Sequence, residues 1–426
     1  MDKLKIIGGP ALKGKIQISG AKNAALPLMA ASLLSNETIT LKNVPHLVDI
    51  TTMANLLMHM GLEISMNGTN QGIGHTLSLK SNDSIETKAT YDLVRKMRAS
   101  VLVMGPLLAK HKETYVSMPG GCAIGTRPID LHLKGLEALG AKVTLEEGYA
   151  HLIAENGLVG GDYEFPVISV TGTENIMMAA CLAKGTTRLF NVAKEPEIVD
   201  LANLLIKMGA KIEGAGTQTL TIHGVESLSG ATHDIVPDRI EMGTYIMAAG
   251  ITNGEIEITN GDLTLLPTVV DLLKKTGLEF IEKDKGFIVR RKDPKKPLKA
   301  ISVSTNPYPD FPTDLQAQYM AMMVTAEGDC TITENIFENR FMHIAELLRM
   351  GANIHIDGSV ATVKGVKELI GADVMATDLR ASASLVLAGL AAKGETIVHR
   401  IYHLDRGYEH IETKLSECGA LVERMH

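Results

Sequence analysis

Two phrases of hydrophobic and polar positions recur along this chain. In the first, Leu and Met return every three or four residues and the run closes on glycine. It reads ANLLMHMGLEI at 54–64, LKGLEALGAKV at 133–143, LANLLIKMGAKI at 201–212, VVDLLKKTGLEF at 269–280, IAELLRMGANI at 344–354 and IETKLSECGALV at 411–422. That spacing predicts a helix with one apolar stripe and one wet face. Each closing glycine (Gly61, Gly140, Gly209, Gly277, Gly351, Gly419) sits where a helix end calls for positive φ. The residues that follow alternate, as in AKVTLEE and ANIHIDG, and predict a strand. The glycines lie 79, 69, 68, 74 and 68 residues apart, so the chain repeats one unit six times.

The second phrase precedes the first in each unit. It is an Ala/Met/Leu-rich helix, a short turn and a strand, as in AALPLMAASLLSNETITLKNV, ENIMMAACLAKGTTRLFNV, GTYIMAAGITNGEIEITN, QAQYMAMMVTAEGDCTITENI and SASLVLAGLAAKGETIVHRI. These helices carry almost no charge and are predicted to be buried on most sides. The second copy, RASVLVMGPLLAKHKETYVSM, is degenerate. Six such units could form one closed body or two bodies of three. Domain size favours two, with a ligand cleft between the lobes and a crossing near residues 20–22 and 235–240.

Composition narrows the function classes. The chain has 426 residues, 45% of them hydrophobic and 21% charged, which suits a soluble globular enzyme or binding protein with large cores. Its net charge of −7 and its 4% aromatic residues, without tryptophan, give no support to nucleic-acid binding. No apolar run approaches 18 residues and MDKLKIIGG lacks an apolar signal core, so a cytoplasmic protein without membrane insertion is expected. The four cysteines are too scattered for a metal site. Cys181, Cys330 and Cys418 read as buried small hydrophobes. Cys122 differs: it lies in SMPGGCAIGTRPIDLH, five residues before Arg127 and ten before His132. That segment is either an ordinary glycine-rich turn or a lid carrying a reactive thiol. No GxxxxGK[ST] string occurs, which disfavours phosphoryl transfer from ATP.

Several polar residues stand where apolar ones would cost less. Lys22 and Asn23 open the first apolar helix, where a lysine opposes the helix dipole unless it clamps an anion. Arg98 interrupts the second such helix. Asp238, Asp314 and Asp378 stand at equivalent helix starts in the fourth, fifth and sixth units, and N-capping is the expectation for all three. Arg340 and Arg406 match each other in the fifth and sixth units, where the third carries Glu195 and Glu197. Lys22, Arg98, Arg127, Arg340, Arg380 and Arg406 together could form a basic cleft for a highly anionic metabolite.

On ISGAKNAALP, YDLVRKMRAS, PGGCAIGTRPIDLH, VTGTENIMMAA, EPEIVD, PDRIE, FPTDLQAQ, FENRFMHIAEL, ATDLRASASLVLAG and IYHLDRGYEHIE, the chain resembles the enolpyruvyl transferases that act on UDP-N-acetylglucosamine. The resemblance is full length, and the cysteine loop separates it from the related shikimate-pathway enzymes. It implies two inside-out α/β domains, each of three βαβαββ repeats, with the active site in the inter-domain cleft. One domain would span residues 22–236; the other would combine 1–21 with 237–426. It implies transfer of the enolpyruvyl group of phosphoenolpyruvate to the sugar 3-hydroxyl, through a tetrahedral intermediate that loses phosphate, as the first committed step of peptidoglycan synthesis.

By the same resemblance the catalytic residues are Cys122, Asp314, Lys22 and Arg406. Cys122 would take part in acid–base chemistry, could form a thioether with phosphoenolpyruvate and would be the target of fosfomycin. Asp314 would be the general-base candidate. Substrate would be held by Lys22, Asn23, Arg98, Arg127, Pro128, Ile129, Asp130, Leu131 and His132, by Ile168, Ser169, Val170 and Thr171, and by Asp314, Ile336, Arg340, Asp378, Arg380 and Arg406. The stretch from Val167 to Thr171 departs from the family's Lys-x-Ser-Val-Gly in lacking the lysine and the glycine. No cofactor and no metal is implied. The partners would be the two small-molecule substrates, and the protein a monomer or weak homo-oligomer. The alternatives are transfer to another alcohol such as shikimate 3-phosphate, an RNA 3′-terminal phosphate cyclase, or a non-catalytic sugar-nucleotide-binding homologue.

Overall fold

A computed structural model describes residues 2–68, 74–82, 84–95, 97–118 and 129–426. The described residues form two compact units. One runs from Gly20 to Val236; the other joins the residues up to Ser19 to Pro237–His426. Each unit has its own hydrophobic core.

The six repeats appear as six four-stranded sheets of one pattern. In the first, Ala231–Asp234 pairs parallel to Ile39–Val44, which pairs antiparallel to His75–Lys80, which pairs antiparallel to Glu63–Asn67. The fourth repeats this with Lys13–Gln17, Glu255–Thr259, Gly286–Arg291 and Leu278–Lys283. The sixth takes Asp373–Met375, Glu395–His399, Lys3–Ile7 and Leu421–Met425. The N-terminal strands thus complete sheets of the C-terminal unit, which is why Gly20–Val236 behaves as an insertion. Period-2 alternation buries one face of each sheet: in Glu255–Thr259, Ile256 and Ile258 are fully buried while their neighbours are half-exposed.

The charge-poor helices occupy the middle of each unit. Arg239–Ile251 and Gln316–Met323 are buried at every residue, and both pack against each other and against Leu379–Ala391. The other unit centres on Lys22–Ala31, Met104–His111 and Val170–Ala180. Helices inside and sheets outside is the expected inside-out arrangement. The degenerate second copy begins as a 3-10 turn, Arg98–Val103, and ends on Lys112 in the left-handed region at φ 66.

The amphipathic helices end as their glycines predict. All six glycines have positive φ, between 86 and 112. At Gly209 an added Cβ would meet nothing within 4 Å, so conformation and not space selects glycine there. Cys181, Cys330 and Cys418 are buried free thiols, pushed up to about 12, 11 and 11 by burial, as structural cysteines should be. Among the described residues, no helix is long and apolar enough to cross a membrane.

Candidate active-site residues in each unit

In the C-terminal unit three of the sequence-selected residues meet. Asp314 accepts a hydrogen bond from Arg340 Nη2 on Oδ1 and one from Arg380 Nη2 on Oδ2, both at 3.0 Å. The two arginine side chains are 4% exposed and the aspartate 27%. Burial works against the Arg380 guanidinium, but Asp314, Tyr408 and Asp238 together outweigh it and hold the arginine's pKa above its usual range. Capping was the expectation for Asp314, and the structure corrects it. Pro312 precedes a 3-10 turn, Thr313–Leu315, with no side-chain cap, and the carboxylate turns onto the arginines. Asp238 and Asp378 do cap: Asp238 accepts from Ile240 N and Glu241 N, and Asp378 from Arg380 N and Ala381 N. Equivalent positions in the repeat therefore carry different chemistry: Asp238 and Asp378 accept from backbone N–H groups, and Asp314 from two buried guanidiniums.

The Asp314 main chain is fixed as well. Gln318, fully buried one helical turn on, donates from Nε2 to the Asp314 carbonyl at 2.9 Å, and the same nitrogen lies 3.0 Å from Tyr408 Oη and 3.2 Å from Thr244 Oγ1, which share its second proton. Thr244 Oγ1 and Tyr408 Oη lie 2.8 Å apart, and the Arg380 guanidinium sits 5.6 Å from the Tyr408 ring centroid. This buried network joins the central helices beneath the aspartate. Sequence reasoning missed Gln318, Tyr408 and Thr244: Gln318 and Thr244 sit in apolar runs and Tyr408 in the polar stretch Asp405–His410, and none of them has its partner nearby in the chain.

Asp378 and Arg406 shape the surroundings of two histidines. Burial lowers His343 to about 4; Arg340 adds to this and Asp378 opposes it. His403 is lowered first by burial and then by Arg406, again against Asp378. Arg406 ends the 3-10 segment Ile401–Arg406, and Ile336 lies at the surface.

In the other unit, Lys22 is the first residue of its helix and buried, with Nζ 3.1 Å from Asp49 Oδ2. Asp49, also buried, lies in the first turn of Val48–His59. Asn23 is half-buried beside Lys22. Arg98 opens the 3-10 turn, and its charge contributes to lowering His132.

His132 lies at the centre of a defined network. Gly105 N donates to Asn175 Oδ1 at 2.6 Å, which fixes the amide's orientation. Asn175 Nδ2 then donates to the Val101 carbonyl and, at 2.9 Å, to His132 Nδ1. His132 Nδ1 is thus an acceptor and its proton sits on Nε2, 3.2 Å from Thr171 Oγ1. Burial, with Arg98 adding to it, lowers His132 to about 3, in keeping with a neutral ring. Ser169 caps Val170–Ala180 by accepting from Gly172 N. Ile129, Asp130 and Leu131 lead into the helix Asp130–Ala138. Nearby, burial and the charges of Glu197 and Glu195 push Glu174 well above the usual carboxylate range. Cys122, Arg127 and Pro128 lie outside the described residues.

Such a fold, two units of three repeats with buried polar clusters on their central helices, belongs to transferases of enolpyruvyl type. Residues 6–415 match the EPSP synthase (3-phosphoshikimate 1-carboxyvinyltransferase) family, and the chain belongs to that family. It is 58% identical to the UDP-N-acetylglucosamine 1-carboxyvinyltransferase of Rhodospirillum centenum, covering 100% of this chain and 99% of the relative. It is 57% identical to the protein of that name from Dinoroseobacter shibae, with the same coverage. Among solved structures, the enolpyruvyl transferase NikO from Streptomyces tendae superposes with a TM-score of 0.87 at 24% identity, covering 100% of this chain and 99% of that one. EPSP synthase from Acinetobacter baumannii gives 0.77 at 19%, with both chains fully covered. These two likenesses speak to the fold.

Proposed function

We propose that this protein transfers the enolpyruvyl group of phosphoenolpyruvate to the 3-hydroxyl of UDP-N-acetylglucosamine, releasing phosphate, in the cytoplasmic phase of peptidoglycan synthesis. The observation that carries this reading is full-length identity of 58% to a relative of that name, against 19% to the superposed EPSP synthase. Transfer to shikimate 3-phosphate is the weaker alternative for that reason.

The reaction needs a positioned alcohol, cations for a carboxylate and a phosphate, and proton transfers to C3 and from the hydroxyl. Asp314 suits the alcohol. Each of its oxygens accepts from an arginine N–H, which fixes the carboxylate plane. Its part in the reaction is orientation and late acceptance of the hydroxyl proton. Lys22, Arg98, Arg127 and Arg406 supply positive charge toward phosphoenolpyruvate and the intermediate, Asn23 adds polar contacts, and Asp378 orients its neighbours. Cys122 serves as acid and in product release. The segments Ile129–Leu131 and Ile168–Thr171, with Ile336, take the sugar nucleotide.

The test is phosphate release from phosphoenolpyruvate with UDP-N-acetylglucosamine, with shikimate 3-phosphate and with neither, in wild type and Cys122→Ala. Release that requires UDP-N-acetylglucosamine supports the reading. Release indifferent to the sugar nucleotide, or specific to shikimate 3-phosphate, defeats it.

A further inference from the structure

One backbone position recurs through the repeats and changes character in the sixth. In the first, third and fourth units an asparagine closes the strand at left-handed φ: Asn43 at 58, Asn191 at 52 and Asn260 at 53. Each donates from Nδ2 to the carbonyl one residue beyond the parallel partner strand, at Ile235, Phe165 and Ile18, over 3.0, 2.7 and 2.8 Å. Asparagine tolerates this backbone, and the amide bond offsets the strain. Asn335 reaches the equivalent Thr305 carbonyl from one position later, without a left-handed backbone. In the sixth unit the position is Arg400, at φ 59 and ψ 41. The bond that aligns its partner strand is kept, from Ala376 N to the His399 carbonyl at 3.1 Å. The side-chain clamp is not: among the described residues the Arg400 guanidinium has no hydrogen bond or ion pair. An exposed arginine thus holds a backbone that asparagine adopts at lower cost, with no bond of its own to offset the difference.

The surroundings show what the side chain serves. Arg400 opens the connector Ile401–Arg406, and its carbonyl accepts from His403 N at 3.2 Å. Besides burial, His403 feels the charges of Arg406, Asp378 and Arg400. Arg400 therefore lies within electrostatic reach of the cluster that holds Arg406 and Asp378. The acid of the connector, Asp405, is taken by Arg424 at 2.6 and 3.1 Å. One short segment so presents two guanidiniums, with its own carboxylate turned to a third, and guanidiniums are the side chains best suited to carboxylate and phosphate.

We propose that Arg400 is a further substrate-binding residue, kept in a strained backbone so that its guanidinium meets an anionic group of a substrate beside Arg406. This rests on the reading above, in which both substrates carry carboxylate or phosphate.

The experiment compares Arg400→Asn and Arg400→Lys with wild type on the intact protein. It reads the melting temperature, KM for each substrate, and kcat for phosphate release. Arg400→Asn installs the residue that three other repeats use, and should raise the melting temperature by roughly 2–4 °C. The same change should raise KM for one substrate about tenfold, the loss of a charge-assisted hydrogen bond at an exposed site. A rise for phosphoenolpyruvate assigns the guanidinium to its carboxylate or phosphate; a rise for UDP-N-acetylglucosamine assigns it to the diphosphate. Arg400→Lys keeps a cation on the same backbone and should stay within about threefold of wild type. Stability gained and affinity lost in one variant is a result that a purely structural arginine does not give. Unchanged KM for both substrates in Arg400→Asn, a melting temperature below that of wild type, or a rise in KM as large in Arg400→Lys would overturn the proposal. A wild type that does not use UDP-N-acetylglucosamine would sink the broader reading, whereas an active wild type with an indifferent Arg400→Asn would sink only this one.

Discussion

Replacing Asp314 by alanine should destabilise the C-terminal unit by an amount set by its two arginines. Their Nη2 atoms each lie 3.0 Å from one oxygen of the same carboxylate, and their side chains are 4% exposed. Once the carboxylate is gone, two buried like charges lose the anion they share. Breaking a buried pair costs about 3–5 kcal/mol. Asp314 itself is 27% exposed, so water can enter the gap and the lower end, about 3 kcal/mol, is the better expectation. In a unit of this size that corresponds to a melting temperature lower by roughly 6–12 °C. Hydrogen exchange followed by mass spectrometry separates the two units, and the loss of protection should fall on Pro237–His426 and spare Gly20–Val236. Asp314→Leu combined with Arg380→Met removes one charge of each sign and should recover part of the loss while remaining inactive. If Asp314→Ala melted within about 2 °C of wild type, the arginines would not depend on the carboxylate and the double ion pair would not be the anchor argued above.

Other outcomes follow from the same physics. Gly209→Ala should cost about 1 kcal/mol, measured by urea unfolding, because a φ of 107 strains any side chain even though the site has room; a neutral result would mean that the helix end had rearranged. His132 should make the fold acid-sensitive. Its pKa falls from 6.5 to about 3 on folding, so the unfolded chain takes up the proton first and stability is lost as pH falls below 6.5. By pH 4 that loss is about 3 kcal/mol, and His132→Asn should flatten the melting profile between pH 4 and 6.5 by about that amount; an unchanged slope would count against the neutral buried ring. Cys122→Asp should keep much of the phosphate-release activity if the thiol serves mainly in proton transfer. A variant that binds both substrates and releases no phosphate would show that the sulfur is needed for more.

The chain's local pattern carried much of this molecule. The glycines from Gly61 to Gly419 marked six helix ends, and all six have the backbone that glycine alone adopts cheaply. The apolar helices announced their own burial, and the cysteines in apolar settings are buried thiols. These features depend on a few neighbouring residues and on periods of 2 and 3.6, so they are written into short stretches of chain. Side-chain direction and protonation at the candidate sites are of another kind. Asp238, Asp314 and Asp378 look alike in sequence, yet two cap helices and the third meets Arg340 and Arg380, which come from 26 and 66 residues away. His132 in its sequence is a plausible ligand contact. Its tautomer depends on Asn175, 43 residues on, and on a Gly105 N–H that holds that amide in place. Glu174 is pushed well above the usual carboxylate range by burial and by Glu197 and Glu195. Long-range packing sets which charges a buried group meets and how much water it loses, and in a low-dielectric interior those two quantities decide whether it caps, pairs, donates or stays neutral.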